Sequence, residues 1–275
     1  MTDTPESCRD LVYAIMDHRR RDLPTDVLLP WVEASDAPRW LAEFGARSGD
    51  PVPRATVDER IELYALSRVN DLLTFAFQPY ADISRDPWPG PRLTGDDYLA
   101  FMRRLGFTPT TWPAFAPFFH EIVHVDPAPD PASPPVVIKT LWPAMMLGPM
   151  LFSRAGVIVH AGADHLRKKL AETSRLHWAW RRRNRPVTDP SVGWGSNSQW
   201  GTLFRRDYHF PGEFHFSVDG RLKAGDAPSP GAWDGDLPEP LRTELVTHRC
   251  LVRTDIPDDD LYPYNIRLTT TDGKS

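Results

Sequence analysis

Residues 120–126 read His-Glu-Ile-Val-His-Val-Asp, and the chemistry open to them depends on the backbone that carries them. On a helix, residues i and i+4 share a face. His120 and His124 would then grip one zinc ion while Glu121 serves as general base, the arrangement of a zinc-dependent hydrolase. His160, His165 and Glu172 are the candidates for its third ligand. On a strand the two histidines stand about 13 Å apart along the chain and cannot share an ion. His124 and Asp126, at i and i+2, then point to one side and supply two thirds of a 2-His-1-carboxylate iron site. Pro117 and Pro127 flank the histidines three residues out on either side. They leave room for barely two helical turns, which favours the strand.

An iron site of this kind needs a second histidine from another strand, and a hairpin offers two. Trp200–Phe210 and Phe214–Val218 read as its arms. With Pro211-Gly212-Glu213 as the loop, Phe210 faces Phe214, Tyr208 faces Phe216 and Arg206 faces Val218. The opposite face then carries His209 across from His215, Asp207 from Ser217 and Arg205 from Asp219, with Gln199 continuing the polar row. A sheet with one wetted face has the same pattern. Read as a site, the expected metal ligands are His124, Asp126 and one of His209 or His215. The expected catalytic residues are Arg205, Asp207 and Arg221, with Arg221 or Arg205 holding a co-substrate carboxylate.

The series His124, Asp126, then His209 or His215, then Arg221 resembles the motif of 2-oxoglutarate oxygenases. That resemblance implies iron, 2-oxoglutarate as co-substrate and oxidation of a small molecule. The alternatives are a non-catalytic module that binds a ligand or protein through a basic helix, the zinc hydrolase above, and a haem oxygenase with His160 as axial ligand.

Gly193-Trp194-Gly195-Ser196-Asn197-Ser198-Gln199-Trp200 is dense in small polar residues between indoles. Glycine permits close backbone approach, amides give directional bonds and indoles give flat walls, so Trp194, Asn197, Gln199 and Trp200 are the expected substrate-binding residues. Ordinary turns use the same residues. Residues 164–185 read as a helix, basic from Arg167, Lys168 and Lys169 to Arg181, Arg182, Arg183 and Arg185, with Trp178 and Trp180 interleaved. Such a run tracks phosphates or forms a solvated face. Met-rich Pro143–Phe152 reads as core filling. Cys250 follows His248 within one turn. No Walker loop, GxSxG elbow or dinucleotide fingerprint is present, which sets aside P-loop hydrolases, α/β-hydrolases and Rossmann dehydrogenases.

The elements that must position these groups follow from periodicity. Helices are expected from Glu6 to about Arg20, after the Thr56/Glu59 capping box as far as Pro79, and from Thr94 to Leu105. Phe118–Val125, Val136–Leu141 and Val157–His160 read as strands, and Pro240–Cys250 as a last helix. The expected fold is α+β: a helical N-terminal layer, residues 1–106, packed on a mostly antiparallel C-terminal sheet within residues 107–268, with a loose tail from 269. The chain has 275 residues and a net charge of −5. That balance argues against a dedicated nucleic-acid binder. Two cysteines make no disulfide framework, and there is no leader-like or membrane-length apolar run, so the expected setting is cytoplasmic.

Overall fold

The computed structural model describes residues 7–19, 22–79, 85, 87–173, 181–185, 200–225, 238–249 and 266–271. In chain order the first elements are α1 (Cys8–Asp17), a π-helical turn (Pro24–Leu28), α2 (Leu29–Ala34), α3 (Ala37–Gly45), α4 (Val57–Thr74), α5 (Gly95–Arg104) and β1 (Thr108–Thr110). Then come β2 (His120–Pro127), β3 (Val136–Trp142), β4 (Ala144–Leu147), β5 (Met150–Ser153), β6 (Ala155–Ala161) and α6 (Lys168–Thr173). The last are β7 (Asp207–Phe210), β8 (Glu213–Phe216), β9 (Leu222–Lys223), α7 (Glu239–Val246) and β10 (Ile266–Thr271). The class is α+β, as the sequence predicts. The chain forms two compact units. The first is Met1–Thr110, Met145–Gly148 and Ala179–Phe204. The second is Thr111–Ala144, Pro149–Trp178 and Arg205–Ser275.

In the first unit α1 packs against α4. Both helices begin at capping boxes, Ser7 with Asp10 and Thr56 with Glu59, which satisfy backbone N–H groups that the first turn leaves open. One stripe of α4 is polar: Arg60, Tyr64, Arg68 and Asp71 recur at steps of four, four and three and end on Phe75. Two later segments lie along it. The Phe204 amide donates to the Arg60 carbonyl at 3.0 Å, and Arg60 Nε donates back to the Phe204 carbonyl at 3.2 Å. Arg182 donates from Nη1 to Asp71 Oδ1 at 2.8 Å, and the Arg181 and Arg183 guanidinium groups lie over the Phe75 ring.

The second unit holds a three-stranded sheet in the order β2-β6-β3. The central β6 is parallel to β2 and antiparallel to β3. A bulge at Val123 breaks the β2 register: Ile122 pairs with Val157, but His124 pairs with Ile158. One extra residue switches the side on which the following side chains emerge. A second sheet runs β5-β7-β8-β10-β9, antiparallel except for β10 beside β9.

Three expectations need correction. The start of the tail is not loose: Thr269, Thr270 and Thr271 pair with His215, Phe214 and Glu213 of β8, and 272–275 lie outside the described residues. The helix over 164–185 is confined to Lys168–Thr173 among the described residues, and 181–185 are non-helical. The hairpin closes through the pair Pro211-Gly212, not through three residues, so its register is shifted by one. Tyr208 pairs with His215, His209 with Phe214 and Phe210 with Glu213. Proline fixes the first turn position and Gly212, at φ +87°, takes the left-handed second one, the residue pattern of a type II turn.

Candidate functional site

The solvent-facing side of the three-stranded sheet carries two histidine–carboxylate pairs. His124 and Asp126 share that side, as their spacing predicts, and both are exposed. Asp126 is paired in register with His160 of β6, and its Oδ2 lies 3.2 Å from His160 Nδ1. His160 is half-exposed. His124 Nδ1 lies 2.9 Å from Glu172 Oε1 of α6. The same oxygen accepts from the Val125 amide at 2.9 Å and from Lys168 Nζ at 2.6 Å, and Lys168 Nζ also donates to the Val125 carbonyl at 2.5 Å. Across the sheet the rows run Asp126–His160–Val136 and His124–Ile158–Lys139.

His120 does not join this face. The bulge at Val123 leaves His120, paired with Ala155, on the buried side and His124 on the exposed one, so the strand denies both histidines a common ion. The His120 ring stacks on Phe115, and its Nδ1 accepts the Ala116 amide at 3.0 Å. Burial pulls its pKa down to about 4. His165 is bonded to the Ala132 carbonyl at 2.8 Å.

The register shift also separates the hairpin histidines. Directly opposed residues of an antiparallel pair share a face and successive residues alternate. His209 therefore goes with Phe214, and His215 with Tyr208 on the other side. His209 sits among Trp112, Phe119 and Phe214, with ring centroids 4.8–5.4 Å away. His215 uses both ring nitrogens, Nε2 at 3.0 Å from Glu213 and Nδ1 at 3.2 Å from Thr269. Neither stands beside His124 and Asp126 in the β2-β6-β3 sheet. Among the described residues no three His, Cys, Asp or Glu side chains are set to hold one metal ion.

Two of the expected catalytic residues do meet, within a buried ionic cluster. Asp207 Oδ1 accepts from Arg205 Nε at 2.9 Å and from the Ser217 amide at 2.6 Å, while Oδ2 lies 3.1 Å from Arg154 Nη2. Arg205 donates further to the Val246 carbonyl at 2.6 Å, and Arg154 Nε to that of Pro117 at 3.0 Å. Burial lowers the Arg154 pKa to about 10, and Asp207 and the buried Glu121 oppose that fall. It is Arg206, not Arg205, that grips Asp219, through two bonds of 2.9 and 2.6 Å. Arg221 is exposed. Nothing in its own sequence neighbourhood gave Arg154 this role; the only signal was a charge opening the apolar strand that follows it.

Of the expected substrate-binding residues, Trp194, Asn197 and Gln199 lie outside the described residues, as do Trp178, Trp180 and Cys250. Trp200 donates from Nε1 to the Tyr13 hydroxyl at 3.1 Å and lies edge-on to that ring, with Arg9 over its own face. Arg181, Arg182 and Arg185 are buried, so they do not form a solvated, phosphate-tracking surface. No described helix is long and apolar enough to cross a membrane.

No protein-family model, characterised protein or solved structure matches the chain.

Proposed function

We propose that the chain is a small-molecule enzyme that moves protons with the two histidine–carboxylate pairs on the exposed face of the β2-β6-β3 sheet. In each pair a carboxylate lies against imidazole Nδ1, at 2.9 Å for Glu172 and His124 and 3.2 Å for Asp126 and His160. A ring oriented in that way keeps Nε2 for taking up or delivering a proton. The observation that carries the reading is the joint placement of both pairs on one side, in adjacent register rows. Ile158 and Val136 supply apolar surface between the pairs and the far edge, and Lys139, opposite Ile158, supplies a cation for an acidic substrate.

A second reading keeps the metal-dependent oxygenase and exchanges its second histidine. Asp126 and His160 would hold the ion, and His124 would join them by turning away from Glu172. It is favoured by the 3.2 Å between His160 Nδ1 and Asp126 Oδ2. Two atoms each about 2.1 Å from one ion stand at such a separation. Iron there would bring dioxygen chemistry to a small molecule, with Lys139 in the carboxylate-holding role first expected of Arg205 or Arg221.

One experiment addresses both. Protein purified without chelator is analysed for iron and zinc and assayed on a panel of carboxylate and phosphate esters, beside His124→Gln and His160→Gln. Turnover without metal, falling about 100-fold or more in each variant, supports proton transfer. Stoichiometric metal lost from both variants supports the second reading. Activity indifferent to both substitutions, with no metal, overturns the two together.

A further inference from the structure

We infer that Glu172 is a positioning residue that fixes His124 as the Nδ1–H tautomer and so makes Nε2 its basic atom. The inference deepens the proton-transfer reading and rests on it for its purpose, but its geometry stands apart from any reaction. β2 is an edge strand of its sheet, and an edge strand has backbone groups with no neighbouring strand to bond. At Val125 two side chains of α6 take the place of that strand. Glu172 Oε1 accepts the Val125 N–H at 2.9 Å and Lys168 donates to the Val125 carbonyl at 2.5 Å. Lys168 also donates to Glu172 Oε1 at 2.6 Å, four residues along the helix, which braces the carboxylate.

His124 Nδ1 meets this same oxygen at 2.9 Å. An oxygen that already receives an amide and an ammonium acts as acceptor, so the imidazole must donate, and the proton of the neutral ring sits on Nδ1. Free imidazole side chains favour the other tautomer, so a strong bias toward Nδ1–H is a signature of a directed contact and not of folding alone. The Glu172 side chain is only 19% exposed and is held from two directions, which makes it stiffer than a surface carboxylate. α6 thus does two jobs with one oxygen: it closes the β2 edge and it aims His124.

The test is nitrogen-15 NMR of histidine-labelled protein, at a pH where His124 is neutral, on the wild type, Glu172→Ala, Glu172→Gln and Lys168→Met. The wild-type His124 signals are expected to show a protonated Nδ1 and an unprotonated Nε2. Glu172→Ala is expected to shift His124 toward the Nε2–H form, and Glu172→Gln, whose amide oxygen still accepts, to restore the original pattern. Lys168→Met is expected to leave the tautomer in place. A wild-type His124 carrying its proton on Nε2, or a tautomer unmoved by Glu172→Ala in a folded variant, overturns the inference. Because no turnover is read, a missing activity would sink the proton-transfer reading while leaving this result standing, and the reverse holds equally.

Discussion

Arg154 and Asp207, 53 residues apart in sequence, meet as a buried pair with Nη2 3.1 Å from Oδ2. Arg205 closes on the same carboxylate from two residues before it, so one aspartate faces two guanidinium groups away from water. Removing that carboxylate leaves two buried cations short of a partner. Asp207→Ala is expected to lower stability by about 3–5 kcal/mol. Urea unfolding followed by tryptophan fluorescence checks it. A loss under about 1 kcal/mol, the value of an exposed ion pair, would show that the cluster is solvated.

His120 makes stability depend on pH. Its folded pKa, about 4, lies below the ordinary value of 6.5 that the unfolded chain restores. Below pH 6.5 the unfolded state takes up a proton that the buried ring refuses. The His120 contribution is therefore complete above about pH 6.5 and is lost progressively as the pH falls toward 4, by up to about 3 kcal/mol. Denaturant midpoints from pH 7 to 4.5 should fall more steeply in the wild type than in His120→Asn, which retains an acceptor for the Ala116 amide. Parallel curves would assign the loss to other groups.

Gly156 is fixed by the indole of Trp142. A Cβ at Gly156 would stand 2.3 Å from the Trp142 ring, whose Nε1 is tied to the Arg154 carbonyl at 3.0 Å. The ring is buried and hydrogen-bonded, so withdrawing it has a cost. Gly156→Ala should cost about 1–3 kcal/mol by overpacking and shift the indole emission. A thermal midpoint unchanged from the wild type would mean that the ring yields without cost.

Gly212 holds the hairpin register. Its φ of +87° meets open space, so the penalty of a side chain there is conformational and not steric with neighbours. Gly212→Ala is expected to destabilise by about 1 kcal/mol, and Gly212→Val by more, because β-branching worsens a positive φ. Equal stabilities for the three proteins would disprove a left-handed residue at the turn.

His209 is packed as an aromatic ring among aromatic rings. His209→Phe should change stability by less than about 1.5 kcal/mol and leave any bound metal and any turnover intact, whereas His160→Gln should not. Loss of metal on replacing His209 would restore the hairpin to the site.

The sequence by itself determined the class, the capping box of α4 and the strand character of 120–126. In each case the deciding interactions are local: a side chain reaching a backbone amide three residues away, or prolines spaced too closely for a helix. The i, i+2 rule also placed His124 and Asp126 on one side correctly. The hairpin failed because register is a count, and one residue moved from loop to strand reverses every partner: Arg206 took Asp219, and His209 parted from His215. Tertiary structure alone decided that Asp126 faces His160, that Glu172 seats His124, and that Arg154 joins Asp207. Those partners lie 34, 48 and 53 residues away, and for the first two a one-residue bulge at Val123 selects which side of β2 they see. No local pattern encodes such a bulge, because it arises where two strands with mismatched spacing are made to pair.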